Sequence, residues 1–135
     1  MAISSCLCKA IKIDISGKPK AAALCHCTDC RKISGSAFGY SWVVASKDVT
    51  ITGEPKTFTS TAKSGNPVIS HFCGNCGVTL YRDGPATNGL MYLKAGTLED
   101  LEDQNSVKPV AEIFTSRRLE WVSPLPGTAQ KAEMT

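Results

Sequence analysis

The sequence lacks the features that mark membrane, secreted and nucleic-acid-binding proteins. No apolar run approaches the roughly 20 residues of a membrane helix, so we expect no membrane association. No run of five or six like charges is present, and the two tryptophans and three tyrosines form no evident stacking platform, so we expect no nucleic-acid partner. The first residues lack the basic and apolar regions of a secretory signal, which predicts a soluble cytoplasmic protein.

Cysteine, by contrast, is plentiful, with seven residues in three tight clusters: Cys6 and Cys8; Cys25, Cys27 and Cys30; Cys73 and Cys76. In a reducing compartment such cysteines are more often metal-binding or catalytic than disulfide-bonded, and an odd number cannot pair fully within one chain. A structural zinc site takes four protein ligands, whereas a catalytic one commonly takes three and keeps a position open. Seven cysteines therefore fit one closed site and one open site.

A chain of 135 residues, of which 42% are hydrophobic, is the size of one domain with one core. Residues 11–16 alternate between isoleucine and polar residues, the period of a half-buried strand. Further strands are predicted at 21–25, 38–45, 49–52, 56–60, 68–72, 78–81, 90–95 and 112–115. Single helical turns are predicted at 28–33 and 97–103, a loop at 82–89 and a surface tail at 123–135. The fold is therefore predicted to be mainly β.

The pair Cys73 and Cys76 favours a metal knuckle, because two intervening residues let both sulfur atoms reach one zinc. A redox pair would be expected to open a helix, and here strands are predicted on both sides. Cys6 and Cys8 need a bend, since alternate residues of a strand lie on opposite faces. A rival set, in which Cys27 and Cys30 join Cys73 and Cys76 as a zinc ribbon, stays open, although its spacing is longer than usual.

Cys25, Cys27 and Cys30 can place three thiolates around one cation and leave the fourth position to water or a substrate sulfur. The alternative is a second structural site that His26, His71 or Asp29 completes. Arg31 and Lys32 follow the last of these cysteines and can bind a substrate carboxylate, or can form an ordinary solvated basic pair.

The ordered cysteine pattern resembles the glutathione-dependent formaldehyde-activating enzyme family, whose domain is shared with centromere protein V. The matching segments are Cys6 to Cys8, Cys25 to Ser36, Phe72 to Gly77, Gly96 to Leu98, and Ile113 to Trp121. The resemblance covers most of the chain, roughly residues 6–122. It implies a zinc-binding domain over residues 1–122, followed by the tail at 123–135, with a β-tent fold of antiparallel sheets.

The resemblance also implies two zinc ions per chain. It assigns Cys6, Cys8, Cys73 and Cys76 to a structural zinc, and Cys25, Cys27 and Cys30 to a catalytic zinc. It implies a carbon–sulfur lyase that acts on glutathione adducts, such as S-hydroxymethylglutathione or a glutathione-conjugated metabolite. Lys9 departs from the family pattern, which commonly has glycine after this second cysteine, and Glu112 stands where many members have histidine.

The leading hypothesis is an enzyme in which the substrate thiolate occupies the open zinc position. Arg31 or Lys32 would bind a glutathione carboxylate, and His26 and Glu112 are candidates for a general acid or base. The alternative is a non-catalytic zinc module that binds a protein partner, in which side chains saturate the middle cluster. A third hypothesis, a thiol redox protein, predicts no zinc.

Overall fold

The computed structural model describes residues 1–134 and shows a mainly β fold. Its strands are, in chain order, β1 (Ala2–Ser5), β2 (Lys12–Ile15), β3 (Ala21–Cys25), β4 (Gly39–Ala45), β5 (Val49–Thr52), β6 (Lys56–Thr61), β7 (Pro67–Phe72), β8 (Thr79–Asp83), β9 (Leu90–Lys94), β10 (Ala111–Ile113) and β11 (Ala129–Gln130). The α-helices are α1 (Thr28–Ser34) and α2 (Leu101–Ser106). Neither of these helices, nor any other in the described part, has the length and apolar character to cross a bilayer.

The strands form two sheets. The smaller has the order β1-β2-β5, and the larger has the order β11-β10-β3-β4-β9-β8-β7-β6. Neighbouring strands are antiparallel except at β10, which runs parallel to both β3 and β11. The expectation of antiparallel sheets therefore holds for the other pairs and needs correction at β10. A parallel partner requires a long crossover, and here the chain pairs again with β3 only after β4, β6, β7, β8, β9 and α2.

The hydrophobic core lies between the two sheets. Ile13 and Ile15 of β2 belong to the same buried cluster as Trp42 of β4 and Leu93 of β9. Each such buried side chain stabilises the fold by about 1.5–3 kcal/mol. The alternating isoleucines of the sequence thus mark the buried face of the smaller sheet, as predicted.

The predicted strands are present, with boundaries that differ by a few residues. β1 was not expected, because its sequence Ala2–Ser5 is half polar and it pairs with β2 alone within its sheet. The loop predicted at 82–89 begins later, since β8 continues to Asp83, and the predicted helical turn at 97–103 becomes α2 from Leu101. The boundary at residue 122 stays a prediction; beyond it most residues are exposed, although β11 pairs with β10.

One end of the larger sheet gathers the chemically interesting residues. β3 ends there at Cys25 and β9 at Lys94, while β4 begins there at Gly39 and β8 at Thr79. β7 also ends there, directly before Cys73. Antiparallel neighbours alternately end and begin at a sheet edge, so residues far apart in sequence meet at this end.

Candidate metal centres

The first group of thiols joins the two sheets. Its members are Cys6, Cys8, Cys73 and Cys76, whose Sγ atoms all lie within 4.8 Å of one another. The first two lie in the connection between β1 and β2 of the smaller sheet, and the other two between β7 and β8 of the larger. A metal bound here would therefore link the sheets.

The sulfur spacing of this group fits a tetrahedral zinc ion. Sγ of Cys8 lies 3.7 Å from Sγ of Cys6 and 3.6 Å from Sγ of Cys73. Zinc–sulfur bonds of about 2.3 Å at the tetrahedral angle place neighbouring sulfurs about 3.8 Å apart. The group can hold a metal ion with little rearrangement.

Local backbone geometry brings Cys6 and Cys8 together. The amide of Ile11 donates to Sγ of Cys6 over 3.3 Å, and the amide of Lys9 donates to the Cys6 carbonyl over 3.1 Å. Lys9 has φ of 67°, in the left-handed region that glycine occupies most readily. This tight turn supplies the bend that the Cys-X-Cys spacing requires.

Cys73 and Cys76 form a knuckle in the β7–β8 connection. The amides of Asn75 and Cys76 both donate to Sγ of Cys73 over 3.4 Å. Gly77 has φ of +81° and its amide donates to the Cys73 carbonyl over 2.8 Å, which closes the turn. The pair thus lies between two strands and does not open a helix, which favours the metal interpretation over a redox pair.

Hydrogen bonds prepare part of this group to bind a cation. The backbone amides of Cys8 and Val78 donate to the sulfur of Cys76 and lower the pKa of that thiol to about 6. Asn75 and the amide of Ala10 lower the pKa of the Cys8 thiol. Burial raises the pKa of the Cys6 thiol above its ordinary value. Two of the four sulfurs are therefore disposed to be thiolates, the form that metals bind.

The second group consists of Cys25, Cys27 and Cys30, whose Sγ atoms also lie within 4.8 Å of one another. We call it the thiol trio. Cys25 ends β3, Cys27 is the N-cap of α1, and Cys30 lies buried one turn into that helix. Sγ of Cys27 accepts a hydrogen bond of 3.3 Å from the amide of Cys30. The helical turn predicted after Cys27 is thus confirmed, and it places the third sulfur beside the first two.

No further histidine, cysteine or carboxylate side chain among residues 1–134 joins the thiol trio. The candidates have other partners: Nε2 of His26 lies 2.7 Å from Oε1 of Glu112, and Nε2 of His71 lies 2.7 Å from Oδ1 of Asp83. Asp29 is exposed, and its nearest cation is Arg82 at 3.8 Å. The arrangement therefore matches a three-ligand site.

The rival zinc ribbon is wrong for this fold. Cys73 and Cys76 group with Cys6 and Cys8, while Cys27 and Cys30 group with Cys25. Cys73 follows β7 and the thiol trio follows β3, and β4, β9 and β8 separate these strands in the larger sheet.

These two groups can be set beside known proteins. A family model described as glutathione-dependent formaldehyde-activating enzyme matches residues 1–117. The chain belongs to this family. The resemblance in the cysteine pattern is thereby confirmed, and with it a relation to glutathione-dependent enzymes.

The fold of this family member is shared with a protein of known structure. The crystal structure of a Rhodobacter sphaeroides protein has a TM-score of 0.57 to it and 17% sequence identity, and the alignment covers 78% of this chain and 96% of the other. At that identity the likeness shows the fold. Among curated proteins, none has a significant sequence match to this chain.

The three thiols of the trio differ in pKa. Hydrogen bonds from the thiols of Cys25 and Cys30 lower the pKa of Cys27 to about 2, and the positive charge of Arg82 contributes. The hydrogen bonds that the Cys25 thiol donates to the sulfurs of Cys27 and Cys30 raise the pKa of Cys25, and burial adds to that effect. Cys27 is therefore the sulfur on which negative charge concentrates.

Two buried basic residues flank the trio, and sequence reasoning missed both. Arg82 and Lys94 are each 9% exposed. The positive charge of Arg82 lowers the pKa of Cys27. The pKa of Cys30 is raised on balance: the hydrogen bond with Cys25 lowers it, the hydrogen bond with Cys27 and burial raise it, and the positive charge of Lys94 lowers it.

The strand register explains why these basic residues face the trio. Cross-strand partners lie on one face of a sheet, and so do residues two apart in one strand. Ala23 pairs with Ser41, and Ser41 pairs with Lys94. Cys25 lies two residues after Ala23, so its side chain and that of Lys94 lie on the same face. Arg82 lies on this face as well, because it pairs with Tyr92 of β9, two residues before Lys94.

His26 and Glu112 form a buried pair beside the trio, 0% and 1% exposed. Oε2 of Glu112 accepts hydrogen bonds from the amide of Leu125 and from Nε2 of Gln130, over 2.7 and 2.8 Å. Burial raises the pKa of Glu112, but the hydrogen bonds from Leu125, Gln130 and His26 outweigh it and bring that pKa to about 2. Glu112 thus fastens the cysteine loop to the C-terminal segment. Its role as a general acid or base stays a prediction.

Arg31 and Lys32 lie in α1 but differ in their surroundings. Nη1 of Arg31 donates to the carbonyls of His26 and Arg117, over 2.6 and 2.8 Å. Lys32 is exposed. Arg31 therefore already has two backbone partners, and a substrate-binding role for this pair stays a prediction.

A cavity of about 330 Å³ opens next to α1 at the same end of the larger sheet. It is lined by residues from α1, β4, β8 and β9 and the turns beside them, among them Ile33, Ser34, Phe38, Tyr40, Thr79 and Lys94. Tyr40 and Phe38 flank Gly39, where an added Cβ atom would lie 3.0 Å from Cβ of Cys30. The cavity therefore adjoins the thiol trio.

Proposed function

We propose that this protein is a zinc-dependent carbon–sulfur lyase that acts on adducts of glutathione or a similar thiol. The observation that carries the proposal is the thiol trio, which no other histidine, cysteine or carboxylate joins in residues 1–134. In the breakdown of S-hydroxymethylglutathione, the carbon–sulfur bond breaks, the hydroxyl oxygen becomes the aldehyde oxygen, and the hydroxyl proton is transferred to the sulfur. The products are formaldehyde and free glutathione.

We assign one zinc ion to each group of cysteines. Cys6, Cys8, Cys73 and Cys76 would hold a closed structural site, and Cys25, Cys27 and Cys30 the reactive one. Cys25, Cys27 and Cys30 would hold this second zinc ion, which would supply Lewis acidity to stabilise the substrate sulfur as a thiolate once the carbon–sulfur bond is broken. The ligand atoms support both assignments, because each group offers only cysteine sulfurs and zinc is one of the soft cations that thiolates bind.

The surrounding residues supply the charge that this chemistry needs. The negative charge of three thiolates exceeds the positive charge of a divalent cation, and a substrate thiolate adds another negative charge. Arg82 and Lys94 face the trio on the same side of the sheet and offset that charge. In a buried setting an uncompensated charge is costly, so these two residues favour binding of an anionic sulfur.

The cytoplasm is the location that we propose. The seven cysteines are free thiols, and a reducing compartment keeps them in that form. Glutathione or another small thiol is the partner that the family relation supports.

The test is the variant Cys27→Ser. Serine is also a good N-cap, so α1 should form normally. We expect elemental analysis to find two zinc ions per wild-type chain and one in the variant, and we expect the release of formaldehyde from S-hydroxymethylglutathione to fall to the uncatalysed rate. Ser36→Ala, an exposed change just beyond α1, serves as the control and should keep both zinc ions and the activity.

Two results would refute the proposal. Turnover by a Cys27→Ser protein that holds one zinc ion would show that the trio is not the reactive site. A wild-type protein with two zinc ions, of which the second shows four protein ligands by X-ray absorption and binds no thiol, would favour the non-catalytic zinc module.

A further inference from the structure

The side chain of Lys94 is nearly buried beside the thiol trio. It is 9% exposed and ends β9. Within the described residues its ammonium group makes no hydrogen bond and no ion pair with a carboxylate. The cavity beside Lys94 leaves this ammonium group open to a negative group that enters from outside the protein.

Two negative groups are available to Lys94. The first is the thiol trio, because the strand register places Lys94 on the same face of the larger sheet as Cys25, through the pairing of Ala23 with Ser41 and of Ser41 with Lys94. The second is a ligand in the adjoining cavity of about 330 Å³, since Lys94 lines that cavity. The same side chain thus lies between the sulfur atoms and a space large enough for a small molecule.

The lining of the cavity suits a carboxylate on a short apolar stem. Among residues 1–134, Lys94 is the one charged residue that lines it, and no aspartate or glutamate does so. Hydroxyl groups come from Ser34, Tyr40, Thr79 and Thr97, and apolar surface from Phe38. A charged hydrogen bond from an ammonium group to a carboxylate is stronger than a neutral one, and more so away from bulk water.

We propose that Lys94 binds a carboxylate of the thiol substrate while the substrate sulfur lies at the thiol trio. The inference rests on the proposed function and narrows it to one substrate class, thiols that carry a carboxylate. It assigns the anion-binding role to Lys94, at the buried wall of the cavity.

Arg82 provides an internal comparison. Its Nε donates to Oγ of Ser70 over 3.1 Å, its Nη2 donates to Oγ of Ser60 over 3.0 Å, and Asp29 lies 3.8 Å away. Arg82 does not line the cavity. It can therefore offset the charge of the trio but cannot select a carboxylate there, and Lys94 can do both.

The experiment measures binding by spectroscopy rather than by activity. Cobalt(II) replaces zinc, and its absorption bands report a new sulfur ligand. Wild type, Lys94→Met and Lys94→Arg are titrated with 3-mercaptopropionate and with its neutral analogue 3-mercaptopropionamide. We expect Lys94→Met to weaken the binding of 3-mercaptopropionate about tenfold or more, and the binding of 3-mercaptopropionamide less than about twofold. Lys94→Arg should keep part of the preference for the carboxylate.

The outcomes separate the two proposals. If Lys94→Met weakened the binding of both thiols equally, Lys94 would only offset the charge of the trio. The inference would then be wrong, while the proposed function would stand. Wild-type protein whose cobalt spectrum responds to neither thiol would contradict the proposed function and the inference together. Methionine is apolar and similar in length to lysine, so the variant should fold, and near-ultraviolet circular dichroism checks this.

Discussion

Oε1 of Glu112 lies 2.7 Å from Nε2 of His26, and the two residues are 86 positions apart in the chain. The pair is closed off from solvent, between two cysteines of the trio on one side and the C-terminal segment on the other. The parallel pairing between β3 and β10 brings the two residues together, because its register places Glu112 opposite Leu24, two residues before His26. The cysteine loop therefore depends on residues from the end of the chain.

Glu112→Gln should remove a pH-dependent part of the stability. The pKa of Glu112 is lowered from 4.5 to about 2 in the folded protein, so its carboxylate stabilises the fold above pH 4.5. That contribution is lost as the pH falls from 4.5 towards 2. At neutral pH the variant should lose up to about 3 kcal/mol of unfolding free energy. Urea titrations at several pH values would measure the difference.

The matched control is Glu120→Gln, which changes an exposed carboxylate and should cost little at any pH. Because acid also releases metal from thiolates, both variants are compared with wild type in the same buffers. A stability loss in Glu112→Gln that stays constant from pH 7 to pH 2 would contradict the role given to this carboxylate.

Gly39→Ala should weaken the second metal site without removing a ligand. A Cβ atom at Gly39 would lie 3.0 Å from Cβ and 3.3 Å from Sγ of Cys30, so that sulfur must shift. If overpacking costs the metal-bound form about 1–3 kcal/mol, the metal affinity falls by about fivefold to a hundredfold. Competition with a coloured chelator would measure it. Gly96→Ala meets no atom within 4 Å and should bind metal as wild type does; equal affinities for both variants would refute the prediction.

Lys9→Gly should stabilise the protein relative to Lys9→Ala. Both changes remove the ion pair of Lys9 with Glu99, which is exposed and contributes little. Only glycine also relieves the left-handed backbone at φ of 67°. We expect the glycine variant to be about 1 kcal/mol more stable than the alanine variant in urea unfolding of metal-loaded protein. The reverse order would show that the turn after Cys8 is not strained.

Cys76→Ser should damage the fold far more than Cys27→Ser. Cys76 completes the group that joins the two sheets, and a structural zinc contributes directly to folding. We expect Cys76→Ser to lose its cooperative thermal transition, or to melt many degrees lower, in circular dichroism. The same loss should follow chelation of both metals in wild type. A Cys76→Ser protein as stable as Cys27→Ser would mean that the first site does not hold the sheets together.

Much of the fold could be predicted from local patterns. The alternating isoleucines and the aromatic and β-branched segments identified most strands, because each pattern is complete within a few residues. The parallel partner of β3 could not be predicted in this way. β10 has three residues, and its partners lie 88 positions earlier, as in the pairing of Ala111 with Ala23. β11 is shorter still, and Gly127 and Pro126 before it are typical of a loop.

The site residues, too, could be predicted from the sequence only in part. The grouping of the cysteines followed from their number, spacing and family resemblance, since ligands of one metal come in recognisable pairs. Arg82 and Lys94 went unnoticed because each is a lone basic residue in a strand. A usable indication was present: Lys94 ends an apolar run from Leu90 to Leu93, and Arg82 follows Leu80 and Tyr81, so both charges continue strands that are otherwise buried.

The pairing of β10 with β3 has a consequence for synthesis on the ribosome. All seven cysteines have been made by residue 76, whereas the strand that covers His26 comes only with residues 111–113. A nascent or truncated chain can therefore capture metal while its inner loop is still uncovered. Closure of such long separations is slow, so the three sulfurs of the trio are present in the chain well before the strand that covers them.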